Sequence, residues 1–169
     1  MIGCVKDISG LLCNEGMNII NREYYRFFTD LLLHVNWIHL LVNVISVYFV
    51  VMYLDDKIKP ESLILFSIIV AVVSSIVFSM IYPNAISMGG SPIIFAFIGL
   101  IVSMQLLGKD IEKFQLRTWY GNWTVGYAVL ANIPLFSSNI STLVIHLITL
   151  LIGMIIGSLC IKTGILKPC

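Results

Sequence analysis

Between Leu63 and Tyr82 the chain runs for twenty residues without one charged side chain, and most of them are apolar. Wound as an α-helix, a segment of that length covers roughly 30 Å, the hydrocarbon thickness of a bilayer. Such a helix needs an apolar surrounding on every side, and lipid supplies it while the helix satisfies its own backbone. The pattern recurs. Leu31 to Leu54 and Thr142 to Ile161 are similar stretches, and Ser91 to Leu107 is a little shorter. Trp123 to Phe136 is shorter again and is interrupted by Asn132 and Pro134, which makes it the weakest and most mobile of the set. The chain as a whole is 59% hydrophobic and 11% charged, whereas soluble domains are roughly 45–50% apolar and about 25% charged. The expectation is an all-α membrane protein, a polytopic helical bundle with five transmembrane helices.

Three regions follow. Residues 1–29 mix charged and apolar residues and read as an external loop segment with interfacial turns or short helices. Residues 30–162 form the transmembrane domain, and residues 163–169 a short cytoplasmic tail. Asp55, Asp56, Lys57 and Lys59 make one polar turn. Lys109 to Arg117 make a charged loop flanked by Trp119 and Trp123, aromatics suited to the interface. With the C-terminus cytoplasmic, the inner side carries Lys57, Lys59, Lys109, Lys113, Arg117, Lys162 and Lys167, and the outer side Lys6, Arg22 and Arg26. Seven against three favours that orientation. No basic stretch leading into a long apolar run opens the chain, so no signal peptide is expected. A net charge of +1 implies no nucleic-acid partner. The four cysteines have no metal-binding spacing; Cys4 and Cys13 either pair in an oxidising compartment or remain thiols.

The sequence Gly89-Gly90-Ser91-Pro92 opens the third apolar segment. Two glycines let the backbone approach a neighbour closely. Proline suits the first turn of a helix. Ser91 is expected as the N-cap, with its hydroxyl near the positive end of the helix dipole, where a developing negative charge is stabilised. Three histidines give that serine possible partners. His39 and Asn43 share one face of their helix, and His34 points elsewhere unless it precedes the regular turns. On the last segment His146 lies within about 20° of both Gly153 and Gly157 around the axis. That glycine stripe invites close approach of another helix, and the one bearing Ser91 and Gly99 is the natural partner. A serine hydroxyl becomes a nucleophile when a base takes its proton, a role open to His146. His39, Asn43 and the Ser91 backbone N–H could then stabilise an oxyanion. No acidic third member stands at that depth; Asp30 lies nearest, at the interface. On the residues alone, interhelical hydrogen bonding and ligation of heme or metal by His146 remain alternatives.

In this order these residues resemble the rhomboid family of intramembrane serine proteases. His34, His39 and Asn43 meet its His-x4-His-x3-Asn signature, Gly89 to Pro92 its Gly-x-Ser-x motif, and His146 with Gly153 its last-helix histidine and glycine. Glu23 to His34 is similar to the segment that anchors the family's first external loop, with Tyr25 in place of the usual tryptophan and Arg26 kept. The likeness runs from about Gly3 to Gly157. Proline follows the serine where the family usually has glycine, Phe95 stands where it often has tyrosine, and Thr149 replaces a glycine. The family's first helix is missing from the pattern, since its external loop corresponds to residues close to Met1.

The resemblance implies a serine endopeptidase that cleaves single-span membrane proteins near the outer face with a Ser–His dyad. Ser91 would be the nucleophile and His146 the base. His39, Asn43 and the Ser91 N–H would hold the oxyanion, with His34, Gly89 and Phe95 in support. It implies no metal or cofactor, transmembrane substrates, and a multi-pass membrane protein; a bacterial cell membrane is the expected location. The segment with Asn132 and Pro134 resembles the family's mobile gate. Competing readings are a catalytically inactive relative that binds transmembrane helices, and a histidine-ligated redox or transport protein.

Overall fold

The computed structural model describes residues 10–16, 21–109, 111–133 and 140–166. Chain order is β1 (Asn14–Glu15), α1 (Arg26–Thr29), a 3-10 turn (Asp30–Leu32), α2 (Trp37–Leu54), α3 (Pro60–Ile81), β2 (Ile86–Ser87), α4 (Ser91–Leu107), α5 (Trp119–Leu130) and α6 (Ile140–Thr163). The architecture is a helical bundle with one small antiparallel strand pair. Among the described residues α2, α3 and α6 are long and apolar enough to cross a membrane. Helix α4 is apolar and has 17 residues; α5 has 12.

Helix starts follow local chemistry. Chain direction changes before α2 because Leu33 and Asn36 are extended. The Asn36 carboxamide then caps the helix by accepting the His39 N–H at 2.8 Å. The helix therefore begins at Trp37 rather than at Leu31, and His34 precedes it. Pro60 begins α3, where a missing N–H is harmless. Thr118 caps α5 by accepting the Gly121 N–H at 3.1 Å. The expectation for Ser91 needs correction. Gly90 is the N-cap, and Ser91 is the first helical residue with no capping side-chain bond. Its hydroxyl is engaged elsewhere.

The central helix is α4, which packs on α2, α3 and α6. Its meeting with α6 is a backbone-to-backbone approach. A Cβ on Gly99 would lie 2.5 Å from the Leu150 carbonyl oxygen, and one on Gly153 would lie 2.8 Å from that of Ala96. Ser158 donates to the Ser103 hydroxyl at 3.3 Å, and Ser103 reaches the Met154 carbonyl at 2.8 Å. These are the short contacts that hold helices together where lipid removes the hydrophobic incentive. Thr149 is fully buried, and its hydroxyl turns back to the Ile145 carbonyl at 2.7 Å.

The segment before α2 is tied down by polar contacts. Arg26 donates through Nη1 to the carbonyls of Gly10 at 2.6 Å and Cys13 at 3.2 Å, and Thr29 donates to that of Leu12 at 2.7 Å. Glu23 pairs with Arg26 at 2.9 Å. β1 pairs with β2 in the register Asn14 to Ser87 and Glu15 to Ile86. That pairing was not legible in a loop of uncharged residues, and it fastens the segment to the approach of Ser91. Cys4, Pro134, Phe136, Lys167 and Cys169 fall outside the described residues.

Candidate active site

The site is assembled at the end of the bundle where α4 begins. Gly89 has φ of 131°, a conformation open to glycine, and its N–H donates to the Asp30 carbonyl at 2.9 Å. A Cβ there would also stand 2.9 Å from His39 Cε1. Glycine is required by the backbone angle, and the imidazole beside it leaves little room for a side chain. The Gly90 N–H points at His34 Nε2, 3.4 Å away, while His34 Nδ1 lies 3.3 Å from the Leu32 carbonyl. A proton on Nδ1 satisfies both contacts. His34 meets His39 edge-on with ring centroids 5.2 Å apart. Asp30 and His34, which precede α2, and His39 in its first turn thus shape the turn that presents Ser91.

Ser91 Oγ lies 2.9 Å from His146 Nε2. The imidazole is 2% exposed and the serine 9%. Phe95 stacks on the imidazole at 4.2 Å and 16°, one turn along α4 from Ser91. The phenyl ring therefore fills the packing position that the resemblance assigns to an aromatic. Neither an extended side chain nor a long loop sets the serine–histidine distance. The Gly99 and Gly153 approach sets it, because both residues belong to helices held at backbone contact.

Asn43, 3% exposed, accepts the Tyr127 hydroxyl at 2.8 Å through Oδ1. Its Nδ2 is buried and has no hydrogen-bond partner among the described residues. An orphaned donor is rare inside folded proteins and costs free energy. The Ser91 N–H, in the first turn of α4, has no acceptor within its own helix. Both belong to the kind of donor set that stabilises an oxyanion.

Two contributors escaped the sequence reading. One is Tyr127, which fixes the Asn43 amide. The other is Asn132, whose Oδ1 lies 2.8 Å from His146 Nδ1 and whose Nδ2 donates to the Ala128 carbonyl at 2.7 Å. A lone amide near the end of an apolar segment was the available signal, and it reads equally well as a helix terminator.

The residues 21–163 match the family model of the rhomboid domain. The chain belongs to the rhomboid family. The match covers α1 to α6, and hence every residue named in this site. No individual curated protein matches this rhomboid. Its membership makes it an integral membrane protein of a family made up mainly of intramembrane serine proteases, with inactive members among them.

Asp30 lies beside this rhomboid's site, before the first long helix. It is 1% exposed, and its Oδ1 has no hydrogen-bond partner among the described residues. Desolvation pushes its carboxyl up to about 7. Its backbone carbonyl is the group that holds Gly89, so a change of charge on Asp30 acts next to the turn carrying Ser91.

Proposed function

We propose that this rhomboid is an active intramembrane serine endopeptidase. The observation that carries the reading is the 2.9 Å contact between Ser91 Oγ and His146 Nε2, made between two buried side chains. In the proposed reaction Oγ attacks the carbonyl carbon of a peptide bond while its proton passes to His146 Nε2. The negative charge that develops on the carbonyl oxygen is met by Asn43 Nδ2, the Ser91 N–H and His39. The tetrahedral adduct collapses, the C–N bond breaks, and His146 gives its proton to the leaving amine. Water then attacks the acyl-enzyme with His146 again as base and releases the acid and the free serine.

His34, Gly89 and Phe95 support the site by shaping the turn and packing the imidazole. The unpartnered Asn43 amide supports the oxyanion role. Substrates are single-span proteins whose helix unwinds near the outer face, and residues 30–162 form a transmembrane domain of five spans that receives them. The charge distribution, seven basic residues against three, supports a cytoplasmic C-terminus. A bacterial cell membrane is the proposed location.

The test uses the purified full chain in detergent micelles with a fluorophosphonate probe and a generic single-span substrate. Labelling and cleavage by the unaltered protein, both lost in Ser91→Ala and in His146→Ala, are the expected results. A folded protein that takes no label and leaves the substrate intact is instead an inactive relative that binds transmembrane helices.

A further inference from the structure

Asn132 lies just beyond the C-terminal end of α5, and the hydrogen-bond network around it has one consistent proton arrangement. Its Nδ2 donates to the Ala128 carbonyl at 2.7 Å, so its Oδ1 is the atom turned to His146, 2.8 Å from Nδ1. An amide oxygen is an acceptor only, so His146 must carry its proton on Nδ1. Nε2 then presents a lone pair to the Ser91 hydroxyl at 2.9 Å. That is the tautomer a general base needs. Without the Asn132 oxygen, either nitrogen can hold the proton, and the form protonated on Nε2 cannot take one from Ser91.

We propose that Asn132 is a positioning residue that fixes the His146 tautomer, completing a Ser91–His146–Asn132 chain of hydrogen bonds. This rests on the protease reading above. Helix α5 packs chiefly against α2. It is joined there by Tyr127 to Asn43 at 2.8 Å and Trp123 Nε1 to Ser46 at 2.9 Å, beside the Phe49–Trp123 stack at 5.4 Å. Ser91 and His146 are too buried for a polypeptide to reach without some element moving aside.

The test uses the full chain in micelles, labelled with 15N-histidine, and compares the unaltered protein with Asn132→Leu and Asn132→Asp. Leucine keeps the volume and removes the acceptor; aspartate keeps an acceptor oxygen. In the unaltered protein the His146 nitrogen shifts should report a proton on Nδ1. In Asn132→Leu they should move toward the form protonated on Nε2, and the rate of fluorophosphonate labelling should fall about tenfold or more. Asn132→Asp should retain the Nδ1 proton and label faster than the leucine variant. Labelling of Asn132→Leu at the unaltered rate, or an unchanged tautomer, overturns the proposal. Should Asn132→Leu fail to fold, the aspartate variant decides: loss of the Nδ1 proton overturns the proposal and its retention sustains it. If the unaltered protein takes no label, the protease reading falls, while the nitrogen shifts still judge the Asn132 contact.

Discussion

The two helix pairs that meet at the site are built in opposite ways. Helices α4 and α6 touch backbone to backbone, with Gly99 and Gly153 at points where even a methyl group collides with main-chain atoms. Helices α2 and α5 are joined by side chains, through the Tyr127–Asn43 and Trp123–Ser46 bonds and a ring stack. On α5 a Cβ at Gly126 would meet nothing within 4 Å. The first joint has no slack and carries Ser91 and His146. The second can part by breaking a few reversible contacts, and it carries groups that orient others, Tyr127 and Asn132. The joint without slack is therefore the one where Ser91 and His146 meet at hydrogen-bond distance, and the joint of separable side-chain contacts is the one where, on the proposed function, a substrate would enter.

The largest effect should come from the rigid joint's own chemistry. Ser91→Ala is expected to lower the cleavage rate by at least about 10³-fold, measured on a single-span substrate in proteoliposomes. Retained cleavage would move the nucleophile off this joint and break the comparison. Next comes packing. Gly153→Ala should destabilise by about 1–3 kcal/mol, read as a lowered melting temperature by circular dichroism in micelles. Gly126→Ala, on the compliant joint, should be neutral or stabilise by up to about 1 kcal/mol, because alanine favours helix. Equal melting temperatures for the two variants would erase the distinction.

A pH series sharpens the rigid side. The Asp30 carboxyl is raised from an ordinary 3.8 to about 7 by burial, so between those values the folded protein binds more protons than the unfolded one. Stability should then fall as pH rises through that window, by at most about 1.4 kcal/mol per pH unit. Asp30→Asn should flatten the dependence in thermal melts taken from pH 4 to 8. A small effect is also expected from a polar contact of the compliant joint. Tyr127→Phe removes one hydrogen bond and should cost about 1 kcal/mol in a micelle unfolding titration. A larger loss than Gly153→Ala would mean that α5 is as firmly held as α6.

Much of this was readable before any coordinates. Apolar length alone marks α3 and α6, and the serine and proline after Gly90 mark the start of α4 to within one residue, since Gly90 and not Ser91 is the N-cap. The helical repeat put His146 above Gly153 on the face that meets Gly99. Other features were read less well. The start of α2 was set six residues early, because Leu31 to Asn36 are apolar enough to pass for helix and only the Asn36 cap shows where the turns begin. Trp123 was read as an interface aromatic, but it turns inward to Ser46, and Trp119 is the exposed one of the pair. From its sequence context Asn132 reads as an interruption of the apolar segment.

Composition and periodicity act over a few turns, so the sequence by itself determined the membrane habit, the helices and the faces bearing Ser91, His39, Asn43 and His146. The tertiary structure alone decided which atoms face which nitrogen. The bonds from Asn132 to His146 and from Tyr127 to Asn43 join residues on separate helices, and their existence depends on how far each helix runs and how closely it docks. No local propensity encodes that distance, because it is the sum of all the contacts between the helices that carry the two ends.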